Sequence, residues 1–235
     1  MSEPRLSNRV ALITGASRGI GAAVAERFAA EGAHVILAAR TVGGLEEVDD
    51  RVRAKGGTAT LVPVDLMDFD KIDQLGQSIF ERFGRLDILV GNAAMLGDLS
   101  PISHYAPKTW ERVFGLNVTA NYRLIRSLDR LLRGSDAGRA MFVTSGVARS
   151  AVAYFGAYAA SKAALEMMVK MYALEVALSP LKVNLLDPGV VRTKMRAHGF
   201  PGEDPMIHPA PEEITGRFVE LAEPACRLHG EVVSV

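Results

Sequence analysis

Cysteine is almost absent: Cys226 stands alone, so the chain cannot close a disulfide on itself, and a reducing compartment, the cytoplasm, is the expected setting. The opening residues "MSEPRLSNRV" lack the apolar stretch of a signal peptide. Net charge is absent too. Lys plus Arg and Asp plus Glu each total 27, which leaves no overall field to hold nucleic acid or an anionic membrane, and neither is expected as a partner. No apolar run approaches the roughly 20 residues of a membrane-spanning helix. Repeats, low-complexity tracts and long blocks of like charge are missing. None of the five histidines has a His, Cys or acid at metal-ligand spacing, so no metal site is expected.

What is present is an alternation. Short apolar runs recur as "VALIT" at 10, "HVILAA" at 34, "ATLVPV" at 59, "LDILVG" at 86, "AMFVTS" at 140, "KVNLLD" at 182 and "EVVSV" at 231. Most are apolar at successive positions, the pattern of strands covered on both faces, and they read as seven strands. Helical periodicity fills the intervals, at 19–31, 42–55, 69–83, 107–133, 156–179 and 211–222. Parallel strands with crossover helices follow, and with them an α/β doubly wound sheet that binds ligands beyond the carboxyl ends of its strands. The 235 residues suffice to bury a core as one domain, 1–235. The stretch 192–213, rich in proline, is the one long irregular segment; it reads as a substrate loop or lid, or else as a solvated connection.

"TGASRGIG", 14–21, follows the first strand and opens a helix. Gly15, Gly19 and Gly21 let the backbone approach a pyrophosphate and turn the free N–H groups of the helix toward it. A dinucleotide fits this turn, with Ser17, Arg18 and Ile20 as further contacts. NAD sites of this kind carry an acid about 20 residues on, at the end of the second strand. Here that strand ends in Ala38 and Ala39, and Arg40 follows; Arg18 and Arg40 together suit a 2′-phosphate, so NADP(H) is favoured over NAD(H). Asp65, with Leu66, is set either to receive the adenine amino group or to cap the next helix, for which Asp68 is the better candidate. Asn92 and Ala93 follow the fourth strand at the same sheet edge. In "DPGVVRT", Pro188 and Gly189 break the sixth strand, and the amides near Val191, with the Thr193 hydroxyl, are candidates for the nicotinamide carboxamide; a simple turn has the same sequence.

"YAASK" sets Tyr158 and Lys162 one helical turn apart with small residues between them. An ammonium beside a phenol favours the phenolate, so the pair is a candidate acid and base. Ser145, thirteen residues before Tyr158, offers a second donor to the same oxygen, which gains negative charge as hydride arrives. Asn117, a polar residue within an apolar helical stretch, is placed to interrupt the backbone ladder, hold water and link Lys162 to solvent. Met95, Leu96, Val147, Tyr154, Met195 and Phe200 suggest an apolar pocket and equally suit a core.

"TGASRGIG", "GNAAM", Asn117, Ser145, "YAASK" and "DPGVVRT", in this order and spacing over about 8–194, closely resemble the short-chain dehydrogenase/reductase family. The resemblance implies a Rossmann-type fold with a seven-stranded parallel sheet, helices on both faces, and an Asn117, Ser145, Tyr158, Lys162 tetrad. It further implies that Lys162 binds the nicotinamide ribose and that Tyr158 moves the proton, and it agrees with NADP(H). Family members of this type pair as homodimers or homotetramers through the helices at 107–133 and 156–179. Gly91 and Ala94 depart from the family's usual turn, and "EVVSV" ends without its customary tail, which makes a tetramer less expected than a dimer. The stretch "MRAHGFPGEDP" resembles a little-characterised branch of bacterial oxidoreductases. The expected function is hydride transfer between NADP(H) and a small-molecule carbonyl or secondary alcohol. A dinucleotide-binding sensor or scaffold without turnover, and epimerase or dehydratase chemistry with a retained cofactor, are the alternatives.

Overall fold

The computed structural model describes residues 4–235. Seven parallel strands run in the order β3-β2-β1-β4-β5-β6-β7: β1 (Val10–Thr14), β2 (His34–Ala39), β3 (Thr58–Pro63), β4 (Ile88–Gly91), β5 (Arg139–Val143), β6 (Lys182–Asp187) and β7 (Val232–Ser234). Successive side chains of a strand point to opposite faces, and both faces here are covered. On β1, Ala11 and Ile13 enter one core while Val10 and Leu12 enter the other. The first core also takes Phe28 from α1 (Gly19–Ala30), Val48 from α2 (Val42–Ala54) and Phe218 from α8 (Thr215–Ala222). The second takes Ile72 from α3 (Phe69–Phe83), Leu128 from α5 (Ala120–Gly134) and Leu165 from α6 (Gly156–Glu175). Continuous apolar strands, rather than alternating ones, are what this double cover requires.

The chain steps outward from β1 in both directions, through β2 and β3 on one side and β4 onward on the other. Ligands of doubly wound sheets enter the crevice at that reversal, beyond the strand carboxyl ends. The glycine turn after β1, Ser145 after β5 and Pro188 after β6 all lie at this edge.

Several expected bounds differ: α6 ends at Glu175 rather than 179, and the helix expected from 211 opens as a 3-10 turn and becomes α8 at Thr215. The helix expected over 107–133 is divided into α4 (Pro107–Phe114), a π-helical turn (Gly115–Thr119) and α5. The strand expected to end at Ser145 ends at Val143, so Ser145 stands two residues beyond β5 in extended backbone. The segment 192–213 is not without structure: it holds α7 (Lys194–Gly199) and 3-10 turns at Pro205–Ile207 and Pro211–Ile214. Among the described residues no helix is long and apolar enough to cross a membrane.

Candidate active site

The glycine turn is built by contacts that leave no room for a side chain at Gly15 or Gly21. Gly15 and Gly19 have left-handed backbone, φ +66° and +57°. A Cβ on Gly21 would lie 2.4 Å from the Gly15 carbonyl oxygen and 2.6 Å from Asn92 Nδ2. A Cβ on Gly19 would have Thr193 Cγ2 as its nearest neighbour, at 3.6 Å, so the turn after β1 faces the loop after β6. This bare cradle at the start of α1 fits a dinucleotide phosphate. Arg18, extended at the N-cap of α1, and Arg40 are both exposed; Arg40 lies 4.0 Å from the Asp65 carboxylate.

Several predicted cofactor residues have their side chains engaged elsewhere. Asn92 donates from Nδ2 to the Thr14 carbonyl at 2.8 Å, and the Asn92 and Ala93 amides donate to the Thr14 hydroxyl at 2.9 and 3.0 Å. Asn92 thus braces β4 against β1. Asp65 accepts from the Met67 amide at 2.9 Å, and Asp68, though it stands at the N-cap of α3, makes no capping hydrogen bond and pairs instead with Lys71 at 3.1 Å. Leu66 and Val191 are buried in the two cores, and Ile20 packs against one of them. Ser17 lies against α2, where a Cβ on Gly44 would meet its own Cβ at 3.0 Å. Thr193 caps α7, its hydroxyl accepting from the Arg196 amide at 3.2 Å. Pro188 is buried, and Gly189 beside it is exposed in left-handed backbone, φ +65°, with open space where a side chain would stand.

The tetrad converges. The Ser145 side chain is close enough to the Tyr158 phenol to act on its ionisation, and Lys162 on the same helix as Tyr158 holds its ammonium 5.7 Å from the Tyr158 ring centre. Lys162 is 2% exposed and donates to the Val143 carbonyl at 2.7 Å, at the end of β5. Burial pulls its pKa down to about 8. The phenol moves the other way. Dense packing around it pushes its pKa up to about 12; the Ser145 side chain opposes this rise and the nearby Asp187 carboxylate adds to it. The expectation that Lys162 makes the phenol more acidic is therefore not met in the protein alone: desolvation raises the phenol, and the Lys162 ammonium is turned to the Val143 carbonyl.

Asn117 is fully buried in the π-helical turn, and its amide is fixed three ways. It accepts from the Met95 amide at 2.9 Å and donates to the Met95 carbonyl at 3.0 Å and to the Ser161 hydroxyl at 2.9 Å. Ser161 in turn donates to the Tyr158 carbonyl at 2.7 Å. The Asn117 side chain therefore anchors the helix of Tyr158 rather than reaching Lys162. Its main-chain carbonyl accepts from Asn121 Nδ2 at 2.9 Å, a partner the sequence did not single out.

Between Ser145 and α6 the chain lines a cleft of about 440 Å³, bounded by Leu99, Val147, Val152, Ala153, Tyr154, Phe155, Arg196 and Phe200. Of the six expected pocket residues, Val147, Tyr154 and Phe200 are among them. Tyr154 has left-handed backbone, φ +71°, unusual for a bulky residue, and its carbonyl accepts from the Ser100 amide at 3.1 Å. A cavity of about 650 Å³ between the carboxyl ends of α5 and α6 touches none of the tetrad. Among the described residues no cluster of His, Cys, Asp or Glu is gathered as metal ligands would be.

Comparison with known proteins agrees with this geometry. The family model described as short chain dehydrogenase matches residues 9–204. The chain is 39% identical over 219 residues to the uncharacterized oxidoreductase YciK of Escherichia coli K12, covering 92% of this chain and 86% of that protein. It is 36% identical over 188 residues to galactitol 2-dehydrogenase of Agrobacterium fabrum, covering 80% and 72%. Among solved structures, a short chain dehydrogenase of Shigella flexneri complexed with NADP superposes with a TM-score of 0.95 at 37% identity, over 99% of both chains. One of Escherichia coli complexed with NADPH gives 0.93 at 37%, over 100% of this chain and 99% of that one. With the family model, the relatives and the sheet order in agreement, the chain belongs to the short-chain dehydrogenase/reductase family of oxidoreductases.

Proposed function

We propose that this oxidoreductase transfers hydride between NADP(H) and a carbonyl or secondary alcohol, with Tyr158 as general acid and base. The observation that carries the reading is the grouping of half-buried Ser145 and Tyr158 with the buried Lys162 beyond the end of β5, Ser145 two residues before Val147 of the apolar cleft. A dinucleotide whose pyrophosphate is held by the glycine turn would supply or accept the hydride through its nicotinamide. Gly15, Gly19 and Gly21 leave room for the pyrophosphate, Arg18 and Arg40 hold the 2′-phosphate, and the loop of Pro188 and Gly189 receives the nicotinamide end. The carboxylate-free end of β2 supports NADP(H), as do relatives complexed with NADP and NADPH. The exposed pair of Arg40 with Asp65 is weak enough to be exchanged for phosphate.

Ser145 and Tyr158 then donate to the substrate oxygen, and donors fixed in a dry site stabilise the negative charge that grows there. The phenol is protonated at neutral pH, ready to donate in the reducing direction. Lys162 orients the ribose and offsets charge on the phenol. The cleft takes the substrate body, and 192–213 serves as its lid. Two copies pair through α5 and α6, whose outer faces expose Tyr122, Met167, Met171 and Leu174.

The test joins binding to turnover. NADPH should raise the melting temperature more than NADH at equal concentration. With an active carbonyl found by screening, Tyr158→Phe should lower kcat at least about 100-fold while still binding NADPH. Undiminished turnover in Tyr158→Phe would remove the acid role. Cofactor binding with no oxidation or reduction across a broad panel would favour a non-catalytic sensor.

A further inference from the structure

Beneath the tetrad lies a second set of charges that hydride transfer does not itself employ. Glu166 is on α6, one turn beyond Lys162, and is 5% exposed; Asp187 ends β6 immediately before Pro188 and is 8% exposed. Two carboxylates so buried need compensation. Arg149, from the 3-10 turn after Ser145, supplies it. Its Nη1 lies 3.0 Å from Glu166 Oε1 and its Nη2 pairs closely with Asp187 Oδ2. The remaining acceptors are also occupied. Thr144, adjacent to Ser145, donates to Glu166 at 2.8 Å, Lys170 lies 3.8 Å from the other Glu166 oxygen, and the Gly189 amide donates to Asp187 at 3.1 Å.

Each end of this network adjoins a tetrad or cofactor element. Thr144 precedes Ser145, Glu166 shares a helix with Tyr158 and Lys162, and Asp187 holds the first amide of the proposed nicotinamide loop. We propose that Arg149 and Asp187 are positioning residues of the oxidoreductase site: Arg149 ties these three elements together, and its pairing with Asp187 screens a buried carboxylate from the Tyr158 phenol. The proposal rests on the reading of Tyr158 as the acid and base.

The groups that bear on Asp187 can be named element by element. The turn after β5 brings Arg149, α6 brings Tyr158 and, through Arg149, Glu166, and the residue after β7 brings the Val235 amide, which donates to the Asp187 carbonyl at 3.2 Å. A Cβ on Gly146 would lie 3.6 Å from Asp187 Oδ2, so the carboxylate sits directly against the residue after Ser145. Its negative charge opposes formation of a phenolate, in the direction already noted for Tyr158. Arg149, paired with Asp187, opposes that effect. A cationic nicotinamide would add to the same local balance, in which Arg149 faces both Glu166 and Asp187.

The test titrates Tyr158 in the full chain saturated with NADP+, as the phenolate absorption present in each protein and absent from its Tyr158→Phe counterpart. Asp187→Asn should ionise Tyr158 at a pH lower than the parent by about half a unit or more. Arg149→Met, which unscreens Asp187, should move the transition upward, and Arg149→Met with Asp187→Asn should return it toward the parent. Arg149→Lys, which keeps the charge, should change it least. Glu166→Gln, which removes an equally buried charge from the far side of Arg149, should shift it less than Asp187→Asn does. If Arg149→Met does not fold, the Asp187→Asn, Arg149→Lys and Glu166→Gln titrations decide. An Asp187→Asn transition at or above the parent pH overturns the proposal, as does one matched by Glu166→Gln. The acid role of Tyr158 stands or falls separately, on turnover of Tyr158→Phe.

Discussion

Gly21 and Gly19 share one turn yet differ in what they tolerate. At Gly21 an added methyl meets a backbone carbonyl and the Asn92 amide, neither of which can withdraw without opening the turn. Gly21→Ala should therefore weaken NADPH binding at least about tenfold and cost 1 to 3 kcal/mol of stability, on the order of other overpacked sites. At Gly19 the space is free and only the left-handed backbone resists, so Gly19→Ala should cost about 1 kcal/mol and bind more tightly than Gly21→Ala. Calorimetric titration with NADPH and thermal melts of both variants separate the two effects; equal losses would mean that the close approach of Gly21 to Gly15 is not what the turn needs. Both glycines were legible in the sequence because a phosphate turn demands a residue type at a fixed place. So were Ser145, Tyr158 and Lys162. Thr14, Asn121, Arg149 and Asp187 were not, since ordinary polar residues acquire their roles only when distant strands and helices bring their partners within reach.

Elements show the same division. Helices and strands with strong apolar periodicity were legible to within a few residues; at Gly115–Thr119 the polar Asn117 marked an interruption of the ladder, though not the π-helical form it takes. The segment 192–213 concealed α7: short, and rich in charge, glycine and proline, it has too little periodicity to register. Its order comes from a clamp. Arg196 meets Glu203 through two hydrogen bonds, at 2.5 and 2.7 Å, and its Cζ lies 3.6 Å from the centre of the Phe200 ring, which stacks with Phe155 at 6.0 Å. His208 Nε2 lies 3.0 Å from the same Glu203 carboxylate. The cleft wall therefore presents aromatic carbon and a cation already neutralised, which suits an uncharged substrate body. Arg196 holds the Glu203 carboxyl down at about 2, and a lowered carboxylate keeps its pairing above its ordinary range and loses it only as pH falls through the folded value. The clamp thus stays charged wherever the enzyme works. Glu203→Gln should loosen α7 and free Arg196 into the cleft, raising KM several-fold for an apolar carbonyl with kcat little changed. Because the pair is near the surface, the melting temperature should move by no more than about 2–4 °C. Unchanged KM, or improved use of the apolar substrate, would separate the clamp from substrate binding.

Across the whole molecule the formal charge is zero, yet a charged lysine is kept in the interior, and stability should register that. Lys162 falls from 10.5 to about 8 on burial, which at about 1.4 kcal/mol per pH unit is on the order of 3 kcal/mol against the folded state. Lys162→Met removes this cost and strands the Val143 carbonyl, a loss of about 1 kcal/mol. The net gain, on the order of 2 kcal/mol, should raise the melting temperature at pH 7 by about 4–8 °C for a chain of this size while abolishing turnover. The pH dependence fixes the cause. Below the folded value both states hold the proton and the cost is present in full; between about 8 and 10.5 the unfolded chain still holds a proton that the native chain has released, so the parent gains stability as pH rises. The advantage of Lys162→Met should accordingly shrink over that interval. Thermal melts of both proteins across it would show the narrowing; a variant less stable than the parent at pH 7, or an advantage that widens with pH, would mean that the buried ammonium is compensated in the folded chain and not held there against stability.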